Sequence, residues 1–135
     1  MEFLHLSKVA VGCASFDALR NRQARRLSGG VVPLVTRFMP KRAEELVGGS
    51  VYWIMKHRIA ARQEILALAV RERDRRTVIS LSPEVVPVRA CAKRAHQGWR
   101  YLAARDAPLD FDGSEDGLTD LPPDLAGKLL AMGLI

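Results

Sequence analysis

The stretch Gly48-Gly49-Ser50-Val51-Tyr52-Trp53-Ile54-Met55-Lys56 sets the frame for the rest of the chain. Its two glycines mark a turn, and an unbroken run of large apolar and aromatic residues follows. Read as an extended strand, it points Val51, Trp53 and Met55 one way and Tyr52, Ile54 and Lys56 the other. Both faces carry bulk, which fits a strand buried on one side and aromatic on the other. A chain of 135 residues is long enough for one domain with a single sizeable core. The flanking segments must cover this strand.

Downstream, Ala60 to Arg71 has a helix-favouring composition. However, Arg73-Asp74-Arg75-Arg76 followed by Thr77-Val78-Ile79-Ser80-Leu81 reads as a hairpin tip and its return strand. A return strand needs an outgoing one, so Ala60 to Arg71 reads as strand. Upstream, Phe3, Leu4, Leu6, Val9 and Val11 give a partial period of two that ends at Gly12. Ser15 is placed to cap a helix from Phe16 to Leu27, with Phe16, Leu19, Gln23 and Leu27 on one face and Arg22, Arg25 and Arg26 round the other. Val31 to Met39 reads as a second strand, held to an edge or a late start by Pro33. Pro40 opens a short helix over Lys41 to Val47.

Beyond the hairpin, Pro83 and Pro87 bracket a last short strand that runs on to Cys91, and Ala92 to Leu102 reads as a structured loop. Ala107 to Asp120 is acidic and aperiodic, and Asp124 to Met132 reads as a final helix. The expected fold is α+β: a small, mostly antiparallel, partly closed and barrel-like sheet with two or three short helices. Residues 1–105 form its basic core, and residues 106–135 an acidic loop and helix docking on the same domain.

Charge is spread unevenly along the chain. Residues 1–105 carry 20 Lys or Arg against 8 Asp or Glu, a net of +12, whereas residues 106–135 carry a net of −6. A basic body calls for a polyanionic partner, and most of its cations are Arg, whose planar fork pairs with phosphate and stacks on bases. No apolar run reaches the roughly 20 residues needed to cross a bilayer. Glu2, Ser7 and Lys8 stand against a secretory leader, so the expected location is cytoplasmic. Cys13 and Cys91 have no further ligand at metal spacing, which gives no metal site and leaves two buried free thiols.

Three chemistries compete. Arg37, Lys41, Arg42, Tyr52, Lys56, Arg62, Gln63, Gln97, Trp99, Arg100 and Tyr101 combine cations for phosphates, rings for stacking and amides for base edges. A non-catalytic module binding nucleic acid, RNA above duplex DNA, is the leading expectation, and Arg100→Ala is expected to weaken binding. His57 and His96 with Glu64 or Glu45 offer an acid–base pair if the fold brings them together. There is no phosphate loop, nucleophile elbow or cofactor motif. Third, the apolar faces of Phe16 to Leu27 and of Leu129 to Ile135 offer a protein–protein adaptor.

Three separated stretches carry a resemblance: Arg37-Phe38-Met39-Pro40-Lys41-Arg42-Ala43-Glu44-Glu45-Leu46, then Gly49 to Lys56, then Gln97-Gly98-Trp99-Arg100-Tyr101-Leu102. With the Leu121-Pro122-Pro123 ending, the chain resembles a family of small alphaproteobacterial proteins catalogued as domain of unknown function 1489. The resemblance covers nearly the whole chain and implies no activity. Members of that family usually place Gly where His57 stands, so the departure argues against a tight glycine turn there. A looser likeness of layout joins the chain to β-barrel RNA-binding modules of the PUA, ASCH and EVE kind. They set a short helix before a glycine and an aromatic strand.

Overall fold

The computed structural model describes residues 3–111. The acidic segment past Phe111 and the helix expected over Asp124 to Met132 lie outside the described residues. In chain order the elements are β1 (His5–Val9), α1 (Phe16–Arg25), β2 (Val32–Thr36), α2 (Ala43–Leu46), β3 (Ser50–Met55), β4 (Arg58–Val70), β5 (Thr77–Leu81), β6 (Val86–Ala92) and β7 (Trp99–Leu102). A single 3-10 turn, Ala104–Asp106, follows.

The strands form one mixed sheet in the order β2-β5-β4-β3-β1-β7, with β6 pairing β4 off that path. β1 and β3 run parallel, and the other named pairs are antiparallel. The path ends at β2 and β7 without closing on itself, so the expected partial closure is corrected to an open sheet. The sheet branches at β4. Its first half pairs with β3 and β6, and its second half with β5. Register shifts at Ile59/Ala61 and Ile65/Ala67 let one long strand serve both groups.

Local chemistry explains the boundaries. Ser15 sits in extended backbone and its Oγ accepts the Ala18 N–H at 3.1 Å, so α1 starts at Phe16. Its buried face is Phe16, Leu19 and Gln23, while Leu27 lies past the last helical residue and is exposed. β2 is an edge strand, and Pro33 costs it nothing there. α2 is a single turn, Ala43–Leu46, inside the expected span of Lys41 to Val47. Met55 pairs with Arg58 across a two-residue turn in which Lys56 and His57 both take positive φ, 51° and 60°. The tight turn therefore forms without glycine.

Gly49 is required for another reason. A Cβ there would overlap the backbone carbonyl of Leu4, where the chain entering β1 crosses it.

The segment expected to be a loop after β6 contains β7, whose pairing with β1 aligns Lys8 with Trp99 and Leu6 with Tyr101. Gly98 and the charged Arg100 hide this strand's alternation in the sequence.

The core has two layers, one on each face of β3. Val51, Trp53 and Met55 join Leu6, Phe16, Leu19 and Leu34 under α1. Tyr52 and Ile54 join Ile59, Val88 and Leu102 on the other side. Every residue of β3 is buried. No described helix is long and apolar enough to cross a membrane. Of the two free thiols, Cys13 is half-buried, and Cys91 is exposed rather than buried as expected, because it falls near the end of β6.

Candidate functional site

The parallel pairing of β1 with β3 puts Lys8 opposite Trp53, and the antiparallel pairing of β1 with β7 puts Lys8 opposite Trp99. One lysine thus stands between two tryptophans on the face that α1 covers only in part. Two neighbouring clefts open there. The first, of about 500 Å³, is lined by Lys8, Arg22, Arg26, Leu34 and Trp53 among others. The second, of about 440 Å³, is lined by Lys8, Val35, Thr36, Arg37, Phe38, Gly98 and Trp99. They share Lys8 and Val35.

No carboxylate of the described residues lines either cleft. The cations are held together against their own repulsion. Burial, and then the Arg22 guanidinium, push the Lys8 ammonium below the usual lysine range. Burial, with Arg26 and Arg25 adding to it against an opposing Cys13, lowers Arg22 as well. Arg22 is fixed by donating to the Val11 carbonyl at 2.6 Å, and its guanidinium lies 5.8 Å from the Trp53 ring centroid. Its Nε is buried without a hydrogen-bond partner. Such a cluster costs the fold stability unless something negative arrives to occupy it.

Of the residues singled out from sequence, Arg37 and Trp99 line this groove. Arg42 and Tyr101 stand beside it. The Arg42 guanidinium lies 5.7 Å from the Tyr101 ring centroid, the Tyr101 hydroxyl accepts the Arg42 N–H at 3.1 Å, and Tyr101 meets Trp99 edge-on at 5.1 Å. Arg42 is already paired with Glu45, bidentate at 2.6 Å. Lys41 and Gln97 are exposed near these elements, and Lys56 is exposed in the β3–β4 turn.

The remaining four fall elsewhere. Arg100 alternates with Trp99 along β7 and shares the face of Ser7, opposite to Lys8. Tyr52 is buried on that same far side. Arg62 makes a bidentate pair with Asp110 at 2.7 and 2.9 Å beside Tyr52. Gln63 is fully buried, so its amide offers nothing to a base edge and instead serves the core. Its Oε1 accepts from Trp53 Nε1 at 3.0 Å and Gln23 Nε2 at 2.8 Å, and its Nε2 donates to the Ser82 carbonyl at 3.0 Å.

The acid–base pair is not assembled. His57 is exposed in its turn, and His96 Nε2 is hydrogen-bonded to the buried Ser7 Oγ at 2.9 Å. Neither histidine makes a hydrogen bond or ion pair with Glu45 or Glu64. Among the described residues no cluster of three or more His, Cys, Asp or Glu is placed to hold a metal ion.

Sequence reasoning missed Lys8, Arg22 and Arg26 as one group. The available signal was Lys8 itself, a lone cation within an otherwise apolar strand face. The family model described as Protein of unknown function (DUF1489) matches residues 6–135. No curated protein and no solved structure matches the chain.

Proposed function

We propose, for a chain that belongs to the family described as Protein of unknown function (DUF1489), a non-catalytic nucleic-acid-binding module that grips the RNA backbone in the groove between α1, β1 and β2. The observation that carries this reading is the groove's lining: Lys8, Arg22, Arg26 and Arg37 with no carboxylate among them. A small neutral substrate has no use for four cations, whereas a chain of phosphates neutralises them in sequence. The Arg22 guanidinium supports the same reading, since it lines the groove and no described carboxylate stands beside it there.

The sheet is open where PUA, ASCH and EVE modules are barrels, so the likeness to them is confined to the order of elements: α2, then Gly48-Gly49, then an aromatic strand.

Fluorescence anisotropy of a labelled single-stranded RNA tests the reading. Four phosphate contacts on a single strand set a slope of log K against log salt of about −3. Arg26→Glu, at the exposed C-cap of α1, is expected to weaken binding far more than Arg100→Ala, which changes the opposite face. An affinity flat across salt, or indifferent to Arg26→Glu, refutes it.

A further inference from the structure

The second cleft differs from the first in kind. Around Lys8 and Arg22 the groove is cationic, whereas beyond Lys8 it is lined by two rings, Phe38 and Trp99. Phe38 is 72% exposed, a poor position for a ring of that size if packing were its only role. Trp99 is only half-buried, yet its orientation is fixed by Tyr101, which meets it at 67° and 5.1 Å. Gly98, at φ +65°, lines the cleft with open space where a side chain would stand. The Arg37 guanidinium lies 5.8 Å from the Phe38 ring centroid, adding a cation at the rim.

We infer that this cleft is a slot for one unpaired nucleobase, stacked on Trp99 and flanked by Phe38, with the adjoining phosphate on Lys8. The inference rests on the nucleic-acid reading above and deepens it. If it holds, the module requires a strand whose bases are free to leave the stack, and a duplex is excluded from the slot. Lys8 is the natural pivot because it alone, with Val35, borders both clefts. A strand running from the ring-lined cleft into the cationic one would pass its backbone over that ammonium. Stacking on an aromatic side chain is tolerant of base identity, so the slot confers preference for single strands rather than for a sequence.

The test uses three labelled probes of equal length: a single-stranded RNA, its duplex, and a strand of the same charge lacking bases. Trp99→Leu is expected to weaken the single strand roughly 5- to 150-fold and to leave the abasic strand's affinity and salt slope as they are. Phe38→Ala, at an exposed site that carries no fold, is expected to act in the same direction. It replaces Trp99→Leu if that variant unfolds.

A wild-type protein that binds single, duplex and abasic strands alike, or a Trp99→Leu and Phe38→Ala loss shared equally by all three, overturns the slot while leaving phosphate binding in place. Failure of the wild type to bind any probe in a salt-dependent way overturns both.

Discussion

Gln63 Oε1 accepts two hydrogen bonds at once, from the Trp53 indole at 3.0 Å and from the Gln23 amide at 2.8 Å. All three side chains are at most 2% exposed, so this one oxygen ties α1 to the floor of the groove. Gln63→Leu keeps the approximate volume but strands two buried donors and the Ser82 carbonyl. Each such group costs about 1–3 kcal/mol. Because the Ser82 carbonyl is only half-buried and open to water, the two donors set an expected loss of about 2–6 kcal/mol, read as a lower urea midpoint at constant m. A loss below about 1 kcal/mol would mean that water or an alternative partner satisfies these groups.

Lys8 is where function and stability are expected to pull apart. Its ammonium is half-buried beside Arg22 with no carboxylate in the cleft. Lys8→Met removes the repulsion and retains the apolar stem. The variant is expected to be more stable by about 0.5–2 kcal/mol and to bind RNA more weakly, its log–log salt slope shallower by about 0.7. Thermal unfolding and anisotropy on the same preparation decide it. A variant that is both less stable and unchanged in binding contradicts the reading.

The β3–β4 turn carries avoidable strain. Lys56 and His57 both occupy left-handed backbone, which L-residues adopt at a cost of about 1–2 kcal/mol each. Two-residue hairpin turns of this hand favour glycine at the second position. His57→Gly is expected to stabilise the domain by about 0.5–1 kcal/mol, the strain relieved less the added freedom of the unfolded chain. Binding should not change, since the turn lies outside both clefts. A lower denaturation midpoint would show that the His57 ring contributes contacts of its own.

Two histidines set the first acid limit. Burial, then Arg62, lowers His5. Burial, with Arg100, Lys93 and Lys8 acting against the Gln97 carbonyl, lowers His96. His5 Nδ1 also accepts the Ser50 N–H at 2.9 Å, a bond that protonation there would break. The unfolded chain therefore takes up protons near pH 6.5, and the folded one only at lower pH. Their contribution is complete above about pH 6.5 and is lost as pH falls from there through the lower folded values. A second loss is expected near pH 4 and below, as Asp74, held at about 2 by Arg71, and the depressed Glu45 and Asp110 protonate. Urea midpoints at about pH 7.5 and about pH 5 test the first step. His96→Gln is expected to shrink it.

The strand pattern was readable wherever one face or both faces obey a period of two. β3 announced its two sides, and the hairpin of β4 and β5 followed from its charged tip. β7 was not readable, because Trp99, Arg100 and Tyr101 make sense only once each is set against Lys8, Ser7 and Leu6 of β1. The site divides in the same way. Arg37 and Trp99 were found because cations and rings near a glycine are conspicuous. Arg22 and Arg26 passed as the wet side of a helix, since nothing local reveals that β1 returns in parallel beside β3 and aims Lys8 at them. Gln63 misled because amides are common on surfaces, and only its three partners show it as a buried joint.

With both sides of β3 occupied, that strand has no spare surface on which to experiment. Any replacement there must suit two packed layers together, so a relative seeking a new ligand cannot begin at Trp53. The room for novelty lies on the rim, at Arg26, Arg37, Phe38 and Trp99. An engineer retargeting this scaffold could randomise those positions while the strand beneath continues to dictate the architecture.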